Sequence, residues 1–166
     1  MEPILEELID VFENQSRLQR SLLCALAQEK QAIVGSDLSA LHEANSEKEN
    51  LIGKIKKLED KRVKILAGLE ESSERKCQDL TLERLAQISE EPYASRLDSC
   101  RNNLISLMKN VIESNEGNKV LLTHSIDFVT GSLGLLNNLI NSNAVYYRTG
   151  KIQNKDLGGR VLSGEV

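Results

Sequence analysis

Between Leu122 and Ile140 the chain places Leu122, Ile126, Val129, Leu133, Leu136 and Ile140 at intervals of four and three, with no polar member. This matches the 3.6-residue period of an α-helix and not the two-residue alternation of a strand, so the segment folds as a helix with an apolar face to cover. A second stripe, Leu121, Phe128, Leu135 and Leu139, runs beside the first and is interrupted by Ser125 and Ser132. Together they form a face wider than one helix partner requires. Gly131 and Gly134 read as close-approach points for such a partner, although each weakens the helix by up to about 1 kcal/mol.

The same spacing recurs along the chain. Pro3 suits a first helical turn, and Glu2, Glu6 and Glu7 complement its positive end, so helix 1 is expected to begin there. Its stripe is Leu5, Leu8, Phe12, Gln15, Gln19, Leu22, Leu26, Glu29 and Ile33, widened by Ile4, Val11, Leu18 and Ala25. Gly35 breaks the run, and Ser36 or Asp37 can cap the second helix. Helix 2 reads Leu38, Leu41, Ala44, Lys48, Leu51, Ile55, Leu58, Arg62, Ile65 and Leu69, with Lys48 and Arg62 as cations whose stems lie on the apolar side. From Gly68 to Asp79 the pattern lapses, which marks a connection, and Asp79 is expected to cap a short helix ending near Ser89. Glu91-Pro92 restarts the chain for a last helix from Pro92 to about Asn141, in which Asn115, Gly117 and Asn118 form a polar crossing and a weak joint. The expected fold is all-α: an antiparallel, coiled-coil-like bundle of long helices over 1–142, with a Tyr-containing, flexible C-terminal tail over 143–166.

Composition supports helices. With no Trp, two Phe and 28% charged residues, the chain lacks the aromatic strands of a sandwich or barrel. Its net charge of -4 and lack of a Lys/Arg cluster argue against nucleic acid as a partner. Residues 120–140 approach the length of a membrane span, but they contain His124, Asp127, Asn137 and Asn138, and Asp alone costs about 3 kcal/mol at a bilayer centre. Membrane insertion is therefore not expected. The N-terminus MEPILEELID has no basic n-region, and Cys24, Cys77 and Cys100 suggest neither a disulfide framework nor a zinc site, so a reducing cytoplasm is the expected location.

No nucleophile–base pair, paired acids, metal spacing or phosphate loop is recognisable, so neither catalysis nor a cofactor is expected. His42 and His124 stand far apart, and Gly158-Gly159 has no G-K-[ST] after it. The useful surface is helical, and its natural ligand is another amphipathic helix. Two uses of the wide stripe stand open: packing against helices 1 and 2, or docking a visiting helix.

Three stretches then carry a resemblance. They are LSALHEANSEKENLIGKIKKLEDKRVKIL with Lys48-Glu49 and Arg62, ESNEGNKVLLTHSIDFVTGSLGLL with Asn115 and Asn118, and Tyr146-Tyr147-Arg148-Thr149-Gly150-Lys151 beyond the last helix. In this order the chain resembles the FlgN-like cytoplasmic export chaperones of the bacterial flagellum. Tyr147 departs from the pattern, standing where that family often has a small or turn-forming residue. The resemblance implies a chaperone that binds the amphipathic terminal helices of hook-associated (hook–filament junction) proteins, prevents their premature assembly and delivers them to the cytoplasmic domain of the type III export gate. Client contact is then expected at the apolar stripe Leu122, Ile126, Val129, Leu133, Leu136 and Ile140, with Phe128 and Leu135 at the rim, and the resemblance implies gate docking by Tyr146, Tyr147 and Gly150. Two rivals remain: a self-associating coiled-coil scaffold or adaptor, and a small enzyme or regulator using His124 and Asp127 near Asn118.

Overall fold

The computed structural model describes residues 2–72 and 81–141, and every described element is helical: α1 (Glu2–Gly35), α2 (Leu38–Ser72), α3 (Leu82–Ile88) and α4 (Tyr93–Asn141). The chain divides into two compact units, Met1–Thr123 and His124–Val166. The 142/143 boundary expected from the sequence lies outside the described residues.

In the first unit α1 and α2 form an antiparallel hairpin, as the pairing of Glu29 with Lys48 and of Glu7 with Lys61 requires. Their backbones approach closely, and the small buried residues Ala25 and Ala32 of α1 and Ala44 of α2 permit it. The first part of α4 lies parallel to α1, since Arg96 pairs with Glu6 and Glu13 while Asn118 reaches Leu26 and Glu29. Successive long helices thus run up, down and up, as in a bundle with short or medium connections.

Two apolar clusters hold this unit together. One joins Leu5, Leu8, Ile9 and Phe12 of α1 to Leu66, Leu85, Leu97, Cys100 and Leu104 of the other three helices. The other joins Leu22, Ala25 and Leu26 to Leu51, with Leu18, Ile55 and Val111 packed against it. Between them in α1 lie the buried Ser16 and Gln19, whose Oγ and Oε1 find no partner among the described residues. Exposed pairs such as Lys61–Glu7 (2.9 Å) and Arg101–Glu83 (3.1 Å) lie at the margins, where each contributes at most about 1 kcal/mol.

The α1–α2 turn corrects the expectation at Gly35. Gly35 belongs to the helix, and Ser36 takes the left-handed conformation, with φ 54°. Ser36 N–H donates to Ile33 O (3.1 Å) and Asp37 N–H to Ala32 O (2.9 Å), the paired bonds of a Schellman C-cap. Asp37 then caps α2, its Oδ1 accepting from Ala40 N–H at 3.0 Å. Two further boundaries shift. α2 continues past Gly68 to Ser72, because one glycine costs a helix only about 1 kcal/mol. The cap of α3 is Thr81, whose Oγ1 accepts from Arg84 N–H, and Asp79 lies outside the described residues. α4 begins at Tyr93, after the cis Glu91–Pro92 peptide, and Pro92 O accepts from Arg96 N–H.

Candidate functional site

α4 is 49 residues long, whereas α1 and α2 have 34 and 35, so neither has enough turns to cover it throughout. Along α4 the stripe Leu97, Cys100, Leu104 and Leu107 is buried, Val111 is half-buried, and Asn118 is 4% exposed. The next residue in that register, Leu122, is 37% exposed, and Ile126, Val129, Leu133, Leu136 and Ile140 are all exposed. Phe128 (76%), Leu135 and Leu139 of the second stripe are exposed as well. All eight ridge residues expected from the sequence therefore meet solvent. At about 100° per residue they sweep about 180° of the helix circumference, half of its surface.

Gly131 and Gly134 do not belong to this face: the same wheel puts them on the opposite side of α4, and a Cβ at either would meet no atom within 4 Å. Small polar residues within the ridge are Ser125 and Ser132. The Ser132 hydroxyl donates to Phe128 O at 2.8 Å, so a partner could cover it without stranding a donor. Asp127 is the one Asp, Glu, Lys or Arg between Val120 and Asn141, and it lies off the apolar arc. The face therefore offers apolar area with almost no charge.

At the head of the ridge, three polar residues set on three different helical stripes come together. Asn118 Nδ2 donates to Leu26 O (2.7 Å) and to Glu29 Oε2 (2.8 Å), and Lys48 Nζ donates to Glu29 Oε1 (2.5 Å). Asn118 and Glu29 are buried, and Lys48 is largely so. The weak joint expected at Gly117 and Asn118 is instead an unbroken stretch of α4 anchored by this network. The signal is present in the sequence: each long helix carries a polar residue on its apolar stripe, and buried polar groups seek one another. Arg62, also set on an apolar stripe, is held within α2 by a two-pronged pair with Glu59, whose carboxyl it keeps below the usual carboxylate range by hydrogen bonding. Beside Asn118 and Gly117 an open groove of about 780 Å³ runs between α1 and α4, with Leu23, Leu26, Ala27 and Leu121 in its walls and Lys30 at its rim.

The remaining candidates are less organised. His124 and Asp127 are exposed, and His42 is exposed on α2. Cys24 is exposed, whereas the Cys100 thiol is pushed up by burial, reinforced by the Glu13 carboxylate, and is a poor nucleophile. Among the described residues, no group of three or more His, Cys, Asp or Glu is gathered as a metal site, and no helix is long and apolar enough to cross a membrane. Tyr146, Tyr147 and Gly150 lie outside the described residues.

No curated protein and no solved structure matches the chain. One family model does, and it spans the bundle, the ridge and the Tyr pair: the description is FlgN protein, the match covers residues 1–154, and the chain belongs to that family of flagellar export chaperones.

Proposed function

We propose that the ridge Leu122, Ile126, Val129, Leu133, Leu136 and Ile140, flanked by Phe128 and Leu135, receives an amphipathic terminal helix of a hook-associated protein in the cytoplasm. The observation that carries this reading is the exposure of an apolar half-circumference on α4, whereas the stripes of α1 and of the first part of α4 are largely buried. Covering eight such side chains makes on the order of 10 kcal/mol available before the costs of association, enough for a reversible complex. A helix destined for a coiled-coil core in the finished filament presents the complementary stripe. While it is covered it cannot nucleate assembly early, and the bound client travels with the chaperone to the cytoplasmic domain of the type III export gate.

Tyr146, Tyr147 and Gly150 are assigned to that gate. Tyrosine rings bury large area while their hydroxyls keep a partner, which suits a surface that must engage and release. The division of labour is testable by titrating peptides of hook-associated terminal helices into the full chain. Val129→Asp with Leu133→Asp should weaken the complex at least about 100-fold, since two charges would be buried in an apolar interface, while circular dichroism stays helical. Tyr146→Ala with Tyr147→Ala should leave peptide affinity unchanged and weaken gate binding. A tight dimer that no terminal helix dissociates would instead assign the ridge to self-association.

A further inference from the structure

We propose that Asn118, Glu29 and Lys48 form a register lock, which sets the axial position of α4 against α1 and α2 and so keeps the apolar ridge from being drawn into the bundle. The inference rests on the ridge being the docking face.

The apolar spacing of α4 does not by itself fix a register. From Leu97 to Ile140 it repeats at intervals of three and four, and the ridge continues the pattern with residues as apolar as those already buried. A lengthwise slide of α4 would bury Leu122, then Ile126 and Val129, in place of the polar crossing while Leu97 and Cys100 leave the cluster around Leu5, Leu8 and Ile9, so buried apolar area alone separates the registers poorly. Asn118 opposes the slide. In the observed register its single amide nitrogen serves two acceptors on α1, and Glu29 satisfies its second oxygen through Lys48 of α2, so all three long helices are tied at one level. A slide of seven residues, about 10 Å, carries Asn118 to the level of Val111, among Leu22, Ala25, Leu26 and Leu51. There its amide would exchange the Glu29 carboxylate for the uncharged Gln19 as nearest acceptor, and the buried Glu29 would lose a donor. Leucine at position 118 would pack well in either register and distinguish neither.

The test reads register directly. Spin labels on cysteines replacing the exposed Arg20 of α1 and Lys109 of α4, in a Cys24→Ser, Cys77→Ser background, should give one distance in the otherwise unaltered chain. Asn118→Leu should add a second population, reflecting an axial shift of about 10 Å. If nine in ten molecules slip, terminal-helix affinity falls about tenfold, because only the unslipped fraction presents the full ridge. Asn118→Ala guards against a leucine that does not fold, and Glu29→Gln, which keeps an acceptor for Asn118, should retain the single distance. One unchanged distance in both Asn118 variants would overturn the lock. Distances are read without ligand, so failure of the unaltered chain to bind terminal-helix peptides would instead overturn the docking reading.

Discussion

The two halves of α4 are written in the same pattern and meet opposite environments. Leu97 has no exposed surface and Leu107 is 8% exposed, whereas Leu133, on the same side of the helix, is 50% exposed and Ile140 66%. Leucine and isoleucine at three-four spacing therefore say that a face must be covered, but not by what. In the first half the cover is α1, α2 and α3. In the second half the face meets solvent, and with Asp127 the one Asp, Glu, Lys or Arg between Val120 and Asn141, the cover proposed for it would be chosen by shape and apolar area.

The largest expected effect breaks this comparison at Leu97. Leu97→Ala should destabilise the chain by about 2–5 kcal/mol in urea unfolding, because it opens a cavity among Leu8, Phe12 and Leu85, whereas Leu133→Ala should change stability by less than about 0.5 kcal/mol and appear in client affinity. Equal destabilisation by the two would mean that the halves are packed alike. Next comes the polar join between them. Lys48→Met strands a buried Glu29 carboxylate and should cost about 2 kcal/mol, against at most about 1 kcal/mol for Lys61→Met, whose pair with Glu7 is half exposed. Gln19→Met should act in the opposite sense, raising stability by about 1 kcal/mol, since it replaces a buried oxygen that has no partner among the described residues.

Smaller effects sharpen the boundaries. Gly35→Ala should raise the midpoint of thermal unfolding by the equivalent of about 1 kcal/mol, because residue 35 is helical and its Cβ meets nothing within 4 Å. Ser36→Gly should add about 0.5–1 kcal/mol by relieving a left-handed serine. If Gly35 were itself the left-handed residue, the first substitution would destabilise.

These boundaries show where sequence reading succeeds and stops. Helical period and punctuation are local, so three long helices, a break near Gly35, a restart near Pro92 and the ridge are all legible. The identity of the left-handed residue is not, because glycine and serine stand side by side and packing decides between them. The extension of α2 to Ser72 is hidden by Gly68, since a single glycine reads as a stop in the sequence but costs a packed helix little. Glu29, Lys48 and Asn118 are each legible as polar residues on apolar stripes, but their meeting depends on the relative register of three helices, which no local pattern specifies. The ridge is legible as apolar and its exposure is not, since internal packing and external docking write the same stripe.

The most direct test of that exposure is the thiol reactivity of a cysteine placed at position 133 in a chain that keeps the buried Cys100. In a Cys24→Ser, Cys77→Ser background, Leu133→Cys should react with a maleimide at the rate of an exposed thiol in the free chain and slow at least about tenfold when a hook-associated terminal helix is added. Leu104→Cys should stay slow in both. A position 133 that is protected in the free monomer, and no further protected with the helix present, would contradict an open ridge that waits for a client.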